Sequence, residues 1–283
     1  MTITKNIILE GHHNKPILVD VFLPQKSRLN KTVIYCHGFK GFKDWGTNDV
    51  LAKHFVEHGI NFLKFNFSHN GGTVDQPIDF PDLEAFGNNN FTKELDDLKC
   101  VIDWIENQNE YESLSAENQL TLMAHSRGSG IIIIKAKEDP RIDKVISLAG
   151  VSDFSARFID NETLEYWKKT GVIYVENSRT KQQMPLYYQL AEDVLKNADR
   201  LSVENASKAL NKPHLIIHGT KDPTVNLEEA KKVHQWSKLS KLVIIQNADH
   251  VFNVNHPWNE SHLPKQFQLV LDKSLEFVMN KQF

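Results

Sequence analysis

The chain has 283 residues, 40% of them hydrophobic and 24% charged, with a formal net charge of −3. That length suits a single large α/β domain with a sizeable core, the charge leaves no basic footprint for nucleic acid, and no apolar run approaches the roughly 20 residues a membrane-spanning helix needs. The opening MTITKNIILEGHH has no basic segment, apolar stretch and small-residue cleavage site in the order of a signal peptide, and the two cysteines, Cys36 and Cys100, make no disulfide framework, so a cytoplasmic protein with reduced, buried thiols is expected.

In chain order, ITKNIILE, ILVDVFL and KTVIYCH read as strands. A helix over 47–58 follows, with Gly59 at the position after its end, and then the strand INFLKFNF. Residues 68–90 (SHNGGTVDQPIDFPDLEAFGNNN) form a long connection, of a length that is usually functional or disordered. Residues 92–107 place Leu95, Leu98, Val101, Ile102 and Ile105 on one helical stripe. The strands QLTLMAH and KVISLAG flank a helix over 127–137. HLIIHG, a helix over 227–237, KLVIIQN and a helix over 264–280 complete the chain. The later strands are nearly continuous in apolar residues, as strands buried on both faces of a parallel sheet must be. Strand–helix alternation with right-handed crossovers gives a doubly wound α/β layer sandwich.

Residues 151–211 separate two strands by far more than one helix needs. They read as a helix over 161–170 stopped by Gly171, a hairpin of GVIYVEN and QQMPLYY around Ser178-Arg179-Thr180-Lys181, and a helix in YYQLAEDVLKNA. This is taken as an inserted cap on a core formed by 1–150 and 212–283. The cap carries Phe154, Phe158, Trp167, and Tyr166, Tyr174, Tyr187 and Tyr188, four of the chain's six tyrosines. Most of these rings are expected to fill the cap's own small core. One or two of Tyr166, Trp167, Tyr174, Tyr187 and Tyr188 are candidates to face an apolar or aromatic substrate. Lys168, Lys169, Arg179 and Lys181 read as solvated charges.

Ala124-His125-Ser126-Arg127-Gly128 stands between a strand and an apolar helix. A nucleophilic serine on such a turn needs small residues two before and two after it, because the backbone turns too sharply to leave room for side chains. A serine nucleophile needs a base, and the base needs an acid that fixes its tautomer and stabilises its positive charge. Asp222 stands just past HLIIHG and His250 just past KLVIIQN. His256 and His262 follow no strand directly, and Asp249 is read as pointing elsewhere. The oxyanion of a tetrahedral intermediate needs preorganised N–H donors, for which the amides of Arg127 and Phe39 are the candidates. His37 reads as holding the oxyanion loop rather than moving protons, and with Ser68, His69 and Asn70 it is a candidate substrate contact. Asn66 lies beside these, after the fourth strand. His54-Phe55-Val56-Glu57-His58 matches the H-x-x-E-H zinc pattern, but Leu51, Phe55 and Val56 make it an amphipathic crossover helix. No metal and no cofactor are expected.

HGFKGFKDW, FNFSHNGG, AHSRGSG, HGTKDPTVN and ADHVF resemble the motifs of serine α/β-hydrolases, in particular dienelactone-hydrolase-like and cinnamoyl or feruloyl-esterase-like members, over nearly the whole chain. The order Ser126, Asp222, His250 matches the order in that fold. The resemblance implies an eight-stranded, mostly parallel sheet with its second strand antiparallel, flanked by helices, and a cap after the sixth strand. It implies hydrolysis of small carboxylic esters, aromatic acyl esters among them, through an acyl-enzyme without metal or organic cofactor. Dienelactone hydrolases proper carry cysteine where Ser126 stands, so their substrate is not transferred. A peptidase or amidase would share the sheet and triad and differ only in turnover. A non-catalytic binding protein of the same fold would be signalled by a missing triad member, and none is missing. The expected partner is a small ester, with no nucleic acid or membrane. The sequence does not set the oligomeric state.

Overall fold

The computed structural model describes residues 1–25, 29–111, 113–115, 117–157 and 160–280. The strand-like runs become strands: β1 (Thr2–Glu10), β2 (Pro16–Leu23), β3 (Lys31–Cys36), β4 (Asn61–Asn66), β5 (Gln119–His125), β6 (Ile142–Leu148), β9 (His214–Gly219) and β10 (Ser240–Ile245). They form one eight-stranded sheet in the order β1-β2-β4-β3-β5-β6-β9-β10. β2 runs antiparallel to both β1 and β4, and every other pairing in the sheet is parallel. This is the eight-stranded sheet with an antiparallel second strand that the motifs imply.

Two helical layers cover the sheet, and the period-two alternation of each strand feeds both. In β3, Val33 and Tyr35 enter a core with α1 (Asn48–Glu57) and α9 (Lys265–Met279), while Ile34 and Cys36 enter the core under α3 (Phe91–Asn107), α4 (Arg127–Glu138) and α8 (Leu227–Trp236). The stripe Leu95, Leu98, Val101, Ile102 and Ile105 is fully buried. The start of α3 is fixed by Asn90, whose side chain accepts the amide of Lys93. No helix among the described residues is long and apolar enough to cross a membrane.

The connection 68–90 is ordered rather than structureless. Asp82 caps the short helix α2 (Leu83–Gly87) by accepting the Ala85 amide, and Phe86 of that helix packs edge to face with Phe80. Between β6 and β9 the chain forms α5 (Asn161–Thr170), a hairpin of β7 (Val172–Glu176) and β8 (Gln183–Tyr187), α6 (Gln189–Lys196) and α7 (Val203–Ala209). α5 stops at Gly171, which takes the left-handed φ of 76°. Phe154 stacks on Phe91 of α3 at 4.0 Å, so this segment is tied to the helical layer below it. Phe158 lies outside the described residues. Both thiols are free; Cys36 is buried and Cys100 half-buried.

Candidate active site

β5 ends at His125 and α4 begins at Arg127, so the whole turn falls on Ser126. Its backbone takes φ 55° and ψ −123°, a region that side chains with a Cβ enter only at a cost of about 1–3 kcal/mol. The surroundings hold it there. Ser126 N–H donates to the Leu148 carbonyl of β6 at 2.9 Å, and the Ser129 amide donates to the Ser126 carbonyl at 3.0 Å. The small neighbours follow from this packing. A Cβ on Gly128 would lie 2.6 Å from the His37 carbonyl oxygen and 3.3 Å from the Ala124 Cβ, and one on Gly38 would lie 2.9 Å from the Ser126 Cβ. A larger residue at 124 would press on the same helix start.

His250 and Asp222 converge on this serine from the loops after β10 and β9. Ser126 Oγ lies 3.1 Å from His250 Nε2, and His250 Nδ1 lies 2.8 Å from Asp222 Oδ2. A carboxylate facing Nδ1 selects the tautomer with the proton there, which leaves Nε2 as the acceptor facing Oγ. Asp222 Oδ1 accepts the amides of Thr224 and Val225 at 2.8 and 2.9 Å, so the acid is locked in its own turn. Burial pushes this carboxyl up. Hydrogen bonds from His218 and His250 and the Val225 amide outweigh burial and hold Asp222 well below the usual carboxylate range. It is therefore an anion at neutral pH.

The two candidate amides lie on either side of the serine: Arg127 follows it in the chain, and Phe39 lines the same cleft. Arg127 opens α4, where the first N–H groups have no helical acceptor, and Phe39 sits in a turn closed by the Gly41 amide donating to Gly38 O at 3.1 Å. Neither amide has a hydrogen-bond partner among the described residues. His37 Nδ1–H donates to the Gly38 carbonyl at 2.9 Å, and its Nε2 accepts the Phe67 amide at 3.3 Å. Burial pushes His37 down to about 4, so it is a neutral strut between the Phe39 turn and the end of β4.

No protein-family model matches the chain, and no curated protein matches it. Solved structures do match. Est1E from Butyrivibrio proteoclasticus aligns over 98% of both chains at 17% identity with a TM-score of 0.71. A dienelactone hydrolase from Anabaena variabilis aligns over 98% of this chain and 97% of its own at 15% identity and 0.64. Mouse alpha/beta hydrolase domain-containing protein 10 aligns over 98% of both chains at 14% identity and 0.69. The chain has the α/β-hydrolase fold. At these identities the likeness carries the fold, and any chemistry must be argued from the residues. Ser126, Asp222 and His250 all follow the C-terminal ends of parallel strands, the edge at which open α/β sheets gather ligands.

Within the hydrolase fold, the cleft at Ser126 has a volume of about 140 Å³. Its walls include His37, Phe39 and His250 together with residues the sequence reading did not select: Tyr35, Lys40, Trp45, His125 and Val251. His125 Nε2–H donates to the His250 carbonyl at 2.8 Å. Burial and the neighbouring His250 push His125 down to about 3, so it holds the His250 loop as a neutral ring. His218 braces Asp222 from β9, with Nε2 2.9 Å from the Val225 carbonyl and 3.3 Å from Asp222 Oδ2. Arg127 pairs with the buried Glu94 of α3, and its guanidinium rests 4.8 Å over the Phe39 ring.

The remaining candidates lie elsewhere. Ser68 N–H donates to Asp97 at 2.8 Å, Ser68 Oγ meets His69 Nδ1 at 2.8 Å, and the Asn70 side-chain amide donates to the Gly41 carbonyl at 3.3 Å. These three side chains are buried and secure the loop after β4, and none lines the cleft. None of the five cap rings lines it either. Tyr166 and Tyr174 are 60% and 59% exposed. Trp167 is buried, with its indole N–H donating to the Leu186 carbonyl at 2.7 Å, and Tyr188 meets its edge. Tyr187 donates its hydroxyl to Glu84 of α2 at 2.5 Å. The polar tips of Trp167 and Tyr187 thus find partners inside the insertion and beneath it, while Tyr166 and Tyr174 face solvent. Lys168 and Lys169 face solvent, Arg179 pairs with Asp79, and Lys181 pairs with Glu176. His256 accepts the Gly46 amide and Asp249 the amides of Val251 and Asn253. His58 donates to the His54 carbonyl one turn back. Among the described residues, the one cluster with metal-ligand spacing is Asp20, Asp44 and Asp49. The ammonium groups of Lys43 and Lys64 already sit among these carboxylates, at 2.8 Å from Asp20 and 2.6 Å from Asp49, and Lys5 pairs with Asp49 at 2.7 Å, so three lysines balance the three carboxylates.

Proposed function

We propose that this protein is a serine hydrolase of small carboxylic esters that works through an acyl-enzyme on Ser126. The observation that carries the reading is the continuous chain Oγ–Nε2–Nδ1–carboxylate at 3.1 and 2.8 Å on a serine held at φ 55°. Strain of that kind persists only where surrounding structure over-determines it, and it clusters at reactive sites.

In the proposed mechanism, Ser126 Oγ attacks the acyl carbon and passes its proton to His250 Nε2. Asp222 stabilises the resulting imidazolium. The developing oxyanion takes the Phe39 and Arg127 N–H groups, which cost no reorganisation because they are already unpartnered. The C–O bond to the alcohol breaks as Nε2 returns the proton to the leaving oxygen, and the acyl group stays on Ser126. Water then attacks, Nε2 takes its proton, and collapse releases the acid and restores the serine hydroxyl.

A cleft of this volume is close to what a single benzene ring occupies in a protein interior, where about 150 Å³ suffices. A solved structure of Est1E holds ferulic acid, and it aligns over 96% of this chain at 18% identity with a TM-score of 0.69. That likeness motivates hydroxycinnamate esters as test substrates. In this chain the rings beside Ser126 that would meet them are Tyr35, Phe39 and Trp45. The test is a fluorophosphonate label mapped to Ser126 and absent from Ser126→Ala, together with turnover of short p-nitrophenyl esters. Folded protein that shows neither label nor turnover overturns the proposal. Faster turnover of aminoacyl amides than of esters would move it to a peptidase.

A further inference from the structure

We infer that Lys40 makes this site selective for short esters that carry a free carboxylate. The inference rests on the hydrolase reading above and specifies its substrate class.

Lys40 lies in the turn that carries the Phe39 amide and lines the same cleft as Ser126. Its backbone has φ 55°, a left-handed conformation that glycine would hold without strain. The chain nevertheless places its longest cationic stem there. The ammonium donates one hydrogen bond, to the Glu176 carbonyl of β7 at 3.1 Å. An ammonium has three N–H donors, so two remain. Among the described residues no carboxylate lies within ion-pair distance of it; Glu176 offers Lys40 its carbonyl, and its carboxylate pairs with Lys181. Burial pulls the Lys40 pKa down and outweighs the Glu176 carboxylate, which acts on it from beyond ion-pair distance and raises it, the mark of a cation partly stripped of water.

The rest of the wall sharpens the argument. Among the described residues no aspartate or glutamate lines the cleft, and Lys40 is its one lysine or arginine. His37 and His125 are held neutral by burial, while Tyr35, Trp45 and Val251 supply apolar surface. A partly buried lysine with spare donors, lining a cleft whose described walls carry no aspartate or glutamate, is complementary to an anionic ligand, and such complementarity contributes selectivity more than raw affinity. The volume of about 140 Å³ keeps that anion a short chain away from the scissile carbonyl. The carboxylate could belong to the acyl side or to the alcohol side, and the experiment separates the two.

The experiment measures kcat/KM by acid release for two matched pairs: monoethyl glutarate against ethyl pentanoate, and acetoxyacetate against ethyl acetate. The wild-type enzyme should prefer the charged member of one pair, and that pair names the side. Lys40→Met should cut the charged-to-neutral ratio by about tenfold, and Lys40→Arg, which keeps the charge and the backbone strain, should restore most of it. Rising salt should erode the wild-type ratio and leave the Lys40→Met ratio flat. A ratio unmoved by Lys40→Met, with both esters turned over, overturns the inference. Glutarate binding to Ser126→Ala by calorimetry covers the case without turnover: binding weakened by Lys40→Met supports the role, and equal or absent binding ends it. Fluorophosphonate labelling separates the two failures, since a labelled Ser126 without a Lys40 effect sinks only the inference.

Discussion

At the scale of single residues, the site is a set of strained or desolvated groups, each held by a named neighbour. Asp222 offers one oxygen to its own turn and the other to His218 and His250. Asp222→Asn keeps the shape but can donate where the carboxylate accepts, so it permits the wrong His250 tautomer. It should lower kcat by about 10³–10⁴-fold while circular dichroism stays native; a loss under tenfold would remove the acid from the mechanism. Gly128→Val should fail differently, because its Cβ would press the His37 carbonyl and disturb fold and elbow together, visible as a lower Tm. Ser126, Asp222 and His250 were legible in the sequence because each directly follows an apolar strand and the small residues around Ser126 betray the turn. Lys40, His125 and His218 were not. Their significance comes from contacts across strands and loops, such as His125 reaching the His250 carbonyl, for which no local pattern exists.

At the scale of elements, the legible parts are those with a period or a punctuating residue. The α3 stripe, the buried parallel strands and the hairpin between Gly171 and α6 all have one. α2 and α7 do not: they are short, and side-chain caps on Asp82 and Ser202 start them. The insertion shows why its rings were harder to place. Tyrosine and tryptophan bring a polar tip that seeks a partner wherever it is buried, and composition alone cannot say which partner wins. Trp167→Ala removes a fully buried indole and its bond to Leu186, which should cost about 3–5 kcal/mol in denaturant unfolding. Tyr166→Ala and Tyr174→Ala, exposed, should stay within about 0.5 kcal/mol and leave the preference between hydroxycinnamate and acetate esters unchanged. A selective loss on the hydroxycinnamate ester in either variant would bring the cap rings back to the substrate.

At the scale of the whole molecule, buried titratable groups set a pH optimum for stability. Burial pushes His37 and His69 down to about 4 and His125 and His214 down to about 3. In the unfolded chain these rings titrate near 6.5. As pH falls below that value the unfolded state takes up protons that the folded state refuses, so stability is lost towards acid. Asp97 acts in the opposite sense. Burial raises it to about 7, against the hydrogen bonds from Ser68. Its folded form keeps a proton that the unfolded form gives up above about 4, so its contribution is present in acid and lost as pH rises through 7. Between about 4 and 6.5 these four histidines outnumber the raised carboxyls, Asp97 and the buried Glu94, and stability should climb by about 3–4 kcal/mol per pH unit at most. Above 6.5 the histidine contribution fades and the raised Asp97 tilts the curve gently down. Urea unfolding across pH should therefore peak near neutrality. Asp97→Asn cannot ionise and can still accept the Ser68 amide, so it should flatten the alkaline side and leave the acid limb steep. A variant whose alkaline slope matches the wild type would mean that Asp97 is already ionised in the folded protein, with the Ser68 bonds outweighing burial.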